Sequence, residues 1–397
     1  MAGVATVMVA LTIACASTRQ AAADRARDDV GAVNAVRDSA MRVLAAAVAD
    51  SAFPGGYAVI GSHDRVYASV GVGHLDWARS PVPDENTIWD MASLTKVIGM
   101  TTAMMQLTAR GAVNLDTPVV FYLPQFVGPG KERITVRHLL THASGLPAWR
   151  PLYKEATSAA EALALVYATP LDTVPGARMA YSDLGAILLG RIVETVSGQP
   201  LDQYLAANVF KPLGMSSTGY RPAPSLRARI APTEVDPWRR RHLRGEVHDE
   251  NAFALGGVSG HAGLFSTARD LTRFAQMLLG GGSYAGARIV DSATLRAFAT
   301  VQDSGLSARA LGWETPNGQN SAGHLMSRRA FGHTGFTGTS LWMDPERDLF
   351  VILLTNRVNP TRENRRISAV RSALADAVVA AADAARAGSP STPGSRP

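Results

Sequence analysis

Cysteine is nearly absent: Cys15 is the only one in 397 residues, which excludes an internal disulfide framework and any multi-cysteine metal site. Lysine is almost as scarce, with Lys96, Lys131, Lys154 and Lys211 the only four among 39 basic residues. The net charge of +6 and the pI near 9.7 therefore rest on arginines spread along the chain. One dense group, Arg239, Arg240, Arg241 and Arg244, reads as a solvated loop. It has no basic stripe or zinc-finger spacing around it, so no nucleic-acid partner is expected. His248, Asp249 and Glu250 lack a second ligand pair at zinc spacing, so no metal is expected either. There is no G-x-S-x-G, which argues against an α/β-hydrolase nucleophile elbow. With no P-loop and no G-x-G-x-x-G fingerprint, no cofactor is expected.

Long apolar runs are also missing. Residues 1–14, MAGVATVMVALTIA, are uncharged but too short to span a bilayer; they have the length of a signal-peptide apolar region. Ala14-Cys15-Ala16 fits a small-x-small cleavage site, and Thr12–Cys15 resembles a bacterial lipoprotein box with its leucine displaced to Leu11. Residues 1–16 are thus expected to direct export to the periplasm or cell envelope, with membrane attachment only if Cys15 carries lipid. The alternative is a buried N-terminal helix. Residues 17–31, small, polar and charged, read as a linker.

What is abundant is apolar surface to bury. Hydrophobic residues make up 46% and charged residues 18%, enough for a large core and incompatible with a mainly disordered chain. The length suggests two or three folding units, or one enzyme of two lobes. Val33, Val36, Ala40, Val43, Leu44, Ala47 and Val48 recur at helical spacing until Pro54-Gly55-Gly56. Tyr57–Ile60 and Arg65–Val72 read as a hairpin, and helical patterning then dominates from about residue 92 to 309. After residue 310, Phe331–Met343 and Leu349–Thr355 read as strands flanking a turn at Asp344–Arg347. A last helix follows, with Ile367, Val370, Leu374, Val378 and Ala381 on one face. The expected fold is α/β over residues 32–387: an antiparallel sheet flanked by helices (about 32–91 and 310–387), an all-helical lobe (about 92–309), and a ligand cleft between them. Residues 388–397 read as a disordered tail.

Three segments carry chemistry. Ser93-Leu94-Thr95-Lys96 is the only S-x-x-K and opens a helix that is apolar nearly all round. The spacing of three puts hydroxyl and amine on one face, where a desolvated amine loses its proton and activates the hydroxyl. Tyr181-Ser182-Asp183 precedes a second buried-looking helix, and a tyrosine near a lysine ammonium is a candidate base. Phe331–Gly338 (FGHTGFTG) begins a late strand with small residues that let a substrate backbone approach. The N–H groups of Ser93 and Phe336 form a candidate oxyanion hole. Ser266 or Thr267, with Asp270, reads as a helix cap.

In this order the three segments resemble the S-x-x-K, Y-x-N and K-T-G elements of the serine β-lactamase and penicillin-binding superfamily. The resemblance is to class C β-lactamases, the related carboxylesterases and low-molecular-weight penicillin-binding proteins, over about residues 35–385. Residues 134–147 (ITVRHLLTHASGLP), 256–265 (GGVSGHAGLF) and 356–362 (NRVNPTR) agree with it. The resemblance implies Ser93 as nucleophile, Lys96 as its activating partner and Tyr181 as proton shuttle. It carries a substrate-carboxylate role to Asn359 and Arg362, and a substrate-binding role to Asp183, His333, Thr334, Gly335 and His261. His248, Asp249 and Asn251 are further candidates to face the cleft. Two departures stand out: Asp183 replaces the usual asparagine, and His333 replaces the lysine of K-T-G, turning a fixed charge into one that depends on pH. The implied function is hydrolysis through an acyl-enzyme on Ser93, of a D-Ala-D-Ala-type peptide or a carboxylic ester. A class C-like β-lactamase and a non-catalytic cell-wall peptide-binding module are the alternatives.

Overall fold

The structure, a computed structural model, describes residues 31, 33–78 and 80–388; the expectations for the export segment, Cys15, nearly all of the linker and residues 389–397 lie outside these. Residue 31 is already helical. The run Leu349-Phe-Val-Ile-Leu-Leu-Thr355 is buried at every position, as a strand covered on both faces must be. It forms the centre of a five-stranded antiparallel sheet. Numbering its strands along the chain, β1 is Gly55–Gly61, β2 Val66–Gly73, β3 Phe331–Thr334, β4 Ser340–Asp344 and β5 Leu349–Thr355, in the spatial order β3-β4-β5-β1-β2. Tyr57 pairs with Leu354 and Ile60 with Val351 across β1 and β5, so two ends of the chain close one sheet.

Period-two alternation divides the sheet's side chains between two cores. Ala58 and Ile60 of β1, with Val351 and Leu353 of β5, pack with Val36, Ala40 and Leu44 of helix α1 (residues 33–49) and with Leu374 and Val378 of the last helix, Ile367–Gly388. Val59, Phe350, Ile352 and Leu354 face the other way, into a larger core shared with the helices of the middle segment.

Three expectations are corrected. The segment Phe331–Met343 is two strands rather than one, reversing at residues 335–339, where Gly338 has φ +122° and the Thr355 hydroxyl leaves no room for a side chain. The middle segment is not all-helical: Ile88–Asp90, Leu264–Thr267 and Gly219–Tyr220 pair as a small sheet. Its helix Ala268–Leu279, capped by Thr267 accepting from the Asp270 N–H at 3.2 Å, lies against the main sheet. Finally, the last helix runs through Gly388.

Candidate active site

Ser93 sits where the strand Ile88–Asp90 turns into the helix over residues 94–109. Asp90, fully buried, accepts the Ala92 N–H at 2.8 Å and the His248 N–H at 2.7 Å. These bonds hold Ala92 at φ +45° immediately before Ser93, a strained conformation of the kind that recurs at functional sites. The helix begins with a π-turn over Lys96–Thr101, and the Thr95 hydroxyl ties it to the small sheet through the Leu264 N–H.

The Lys96 ammonium is 1% exposed and has three oxygen neighbours: Ser93 Oγ at 2.9 Å, the His261 carbonyl at 3.1 Å and Asp183 Oδ1 at 2.7 Å. It also lies 4.9 Å from the centre of the Tyr181 ring. Burial alone would drive the proton off, but Asp183 and Tyr181 outweigh it and hold the lysine above its ordinary pKa. The expectation of a free amine is therefore corrected: Lys96 is a cation that donates to the Ser93 oxygen. The Tyr181 hydroxyl is buried and makes no well-formed hydrogen bond. Burial raises its pKa, while the Lys96 ammonium and Ser93 pull it partly back.

A cleft of about 470 Å³ opens above Ser93, with Tyr181, Arg309, Glu314, His333, Thr334, Gly335, Phe336, Arg357, Arg362 and Arg371 in its walls. Ser93 and Phe336 line it, and their N–H groups donate to no other described group. Ser93, Lys96, Tyr181, His333, Thr334, Gly335 and Phe336, read separately from three segments, are thus brought together.

Other assignments are corrected by their partners. His333 is 1% exposed; its Nδ1 donates to the Thr334 carbonyl at 2.8 Å, and its Nε2 is buried without a partner. Burial lowers its pKa to about 4, so it is neutral near pH 7 and supplies no switchable charge there. Asp183 is spent on Lys96. Asn359 turns away, its amide donating to Asp76 at 3.1 Å. Arg362 lines the cleft but is neutralised by Glu234 (2.5 Å) and Glu250 (2.7 Å). His261 offers only its carbonyl, because its ring is held by Ser259 at 2.7 Å and Asp249 at 2.9 Å. His248 pairs with Glu234 at 2.9 Å, Asp249 caps the helix Glu250–Ala254, and Asn251 braces residues 150–153, so none of these lines the cleft. Arg239, expected in solvent, is 3% exposed and ion-paired with Asp236 and Glu246.

The sequence reading missed Arg309, Arg357 and Arg371. Arg309 stacks on Tyr181 (5.0 Å) and pairs with Glu314 at 3.0 Å. Arg357 and Arg371 bond only to main-chain carbonyls and form no ion pair among the described residues. Burial lowers their pKa values to about 10 and about 9, leaving both charged at pH 7. Arg357 lies inside the NRVNPTR segment, so the signal was there; nothing in the pattern of the last helix singles out Arg371.

The chain is similar to known proteins. The Beta-lactamase family model matches residues 40–375. A protein of Escherichia coli (strain K12) named "Putative D-alanyl-D-alanine carboxypeptidase" is 34% identical over 304 residues, 68% of this chain and 69% of its own. One of the same name from Salmonella typhi is 32% identical over 315 residues, 71% and 72% of the two chains. Among solved structures, EstCE1, a hydrolase with promiscuous acyltransferase activity, superposes with a TM-score of 0.72 at 21% identity, covering 88% of this chain and 99% of that one. A penicillin-binding protein homologue from Caulobacter crescentus gives 0.70 at 19%, covering 87% and 97%. Family model and sequence relatives agree with one another, and the fold agrees with both: the chain belongs to the Beta-lactamase family and is a serine hydrolase.

Proposed function

We propose that the enzyme removes the terminal residue of a D-alanyl-D-alanine-type peptide through an acyl-enzyme on Ser93. One observation carries the reading. The cleft that holds Ser93 against a cationic Lys96 also presents two arginines, Arg357 and Arg371, with no acidic partner, suited to a substrate with a free carboxylate. The names of the E. coli and Salmonella relatives support it.

In this mechanism Ser93 Oγ attacks the scissile carbonyl carbon while the Ser93 and Phe336 N–H groups receive the developing oxyanion. Lys96 stabilises the nascent alkoxide. Tyr181, kept protonated by burial, accepts the Ser93 proton as it passes its own to the leaving nitrogen, so that no free phenolate is required. The C–N bond breaks and the amine departs. Water then attacks the acyl ester and the proton returns to Ser93 by the same path.

A carboxylic ester is the second reading, favoured by the neutral His333, which places no fixed charge where the family has lysine. For the same reason, and because Asp183 replaces an amide donor, β-lactam turnover is expected to be slow. Export to the periplasm or cell envelope is part of the proposal, supported by residues 1–16. The test is intact mass after exposure to a penicillin, with Ser93→Ala as control, beside release of D-alanine from an acyl-D-Ala-D-Ala peptide. A Ser93-dependent adduct with D-alanine release is expected. Ester turnover with neither of these would replace the peptidase reading by the esterase one, and activity retained in folded Ser93→Ala would overturn both.

A further inference from the structure

The segment ITVRHLLTHASGLP has no part in the mechanism above, yet it frames Tyr181. Thr135 caps the helix Val136–Leu140 with a capping box closed by His138. The chain then reverses through His142, which is 5% exposed and has φ +56°. That backbone region is unfavourable for a residue with a side chain, and where it persists the surroundings hold it in place.

From this position His142 grips the tyrosine three ways. Its carbonyl accepts the Ala180 N–H at 2.8 Å and its Nδ1 accepts the Ser182 N–H at 3.0 Å, one residue on each side of Tyr181. Its ring packs on the phenol, centroids 4.6 Å apart and planes tilted by 40°. The same ladder continues through the Ser182 hydroxyl donating to the Pro147 carbonyl at 2.6 Å and the Asp183 N–H donating to the Ala148 carbonyl at 3.0 Å. An imidazole that accepts at Nδ1 must be neutral, with its proton on Nε2. Burial and the nearby charges of Arg309 and Lys96 maintain that state, lowering its pKa well below the ordinary histidine value.

We propose that His142 is the positioning residue for Tyr181, its strained backbone and neutral ring fixing the phenol over Ser93 and Lys96 for proton transfer. The proposal rests on the serine-hydrolase reading with Tyr181 as shuttle. Because the ring touches the phenol, its loss acts on kcat while substrate contacts on the far side of the cleft leave KM nearly unchanged.

The test is a double-mutant cycle on the full chain with p-nitrophenyl butyrate. His142→Asn keeps a hydrogen-bond acceptor and tolerates φ > 0 but lacks the ring. His142→Gly removes the imidazole while relieving the backbone. Folding is checked by thermal melting. In the wild-type background both variants are expected to lose about tenfold or more in kcat, with KM within about threefold and Asn the milder. In a Tyr181→Phe background His142→Asn is expected to cost less than about twofold, since the shuttle it serves is already gone. Equal losses in both backgrounds, or a folded His142→Gly with kcat within about twofold of wild type, overturn the proposal. If His142→Gly does not fold, the Asn cycle decides alone. Absence of Ser93-dependent turnover in the wild type would instead overturn the hydrolase reading on which it stands.

Discussion

Asp183 shows how one atom can set the chemistry of a site. Its carboxylate is what keeps Lys96 charged in a position where burial would strip the proton. In Asp183→Asn the larger of the two opposing influences is gone, so the lysine pKa falls and the alkaline limb of kcat/KM for a neutral ester moves to lower pH. A profile from pH 6 to 10 that superposes on the wild type would show that Lys96 does not depend on Asp183. His333 carries a prediction of opposite sign. Its pKa is about 4 in the folded protein against 6.5 for an ordinary histidine, so between those values the unfolded chain binds more protons than the folded one. Stability contributed at that position is whole above about pH 6.5 and is lost as pH falls toward 4, by about 3 kcal/mol. His142 acts in the same direction. Urea midpoints at pH 7 and pH 4.5 should converge partly in His333→Gln; an unchanged difference would assign the acid sensitivity elsewhere. Neutral His333 also means that kcat/KM for an anionic peptide should show no limb near pH 6.5 traceable to this residue.

At the level of elements, the turn between β3 and β4 packs against the Met91 carbonyl and so sets the distance between β3 and the turn that carries Ser93. A Cβ placed at Gly335 would lie 2.4 Å from the Met91 carbonyl and 2.1 Å from the Thr339 hydroxyl, so Gly335→Ala must push β3 away from the Ser93 turn. The expected result is loss of about 100-fold or more in kcat/KM with a cooperative melt at lower temperature, since small displacements at a reacting centre are costly. Retained activity would mean that the turn yields elsewhere. The same turn shows where sequence reading stopped short. FGHTGFTG looks like one glycine-rich strand because glycine breaks no apolar period; the reversal is decided by tertiary crowding against Thr355 and Met91. The S-x-x-K spacing, the hairpin β1–β2, the last helix and the Thr267 cap were legible because local period and cap chemistry specify them. The partners of His261, Asn359 and Arg362 were not, since Asp249, Asp76 and Glu234 meet them only through the fold. The charge state of Lys96 was half legible: Asp183 was visible as the acid in place of the asparagine of Y-x-N, but not its 2.7 Å approach.

On the scale of the whole molecule, one cation links the last helix to the cleft. Arg371 donates to the Gly335 and Thr339 carbonyls at 2.6 and 2.7 Å, tying Ile367–Gly388 to both ends of the turn beside Ser93. Arg371→Gln keeps a donor but removes the charge. If the arginine serves a substrate carboxylate, kcat/KM should fall about tenfold or more for a peptide with a free C-terminus and by less than about threefold for the corresponding C-terminal amide. Equal falls for both would leave Arg371 with the turn alone.

The order β3-β4-β5-β1-β2 has a consequence in time. β1, complete at Gly61, finds its inner neighbour only in Leu349–Thr355, almost three hundred residues later. Ser93, Lys96 and Tyr181 are synthesised early, but the wall opposite them, the Phe336 N–H and the arginine brace arrive only with the final strands and helix. Pairing so distant is slow to form. A growing chain therefore carries Ser93 through most of translation without the wall that faces it, and the cleft is complete only once the last helix has been made.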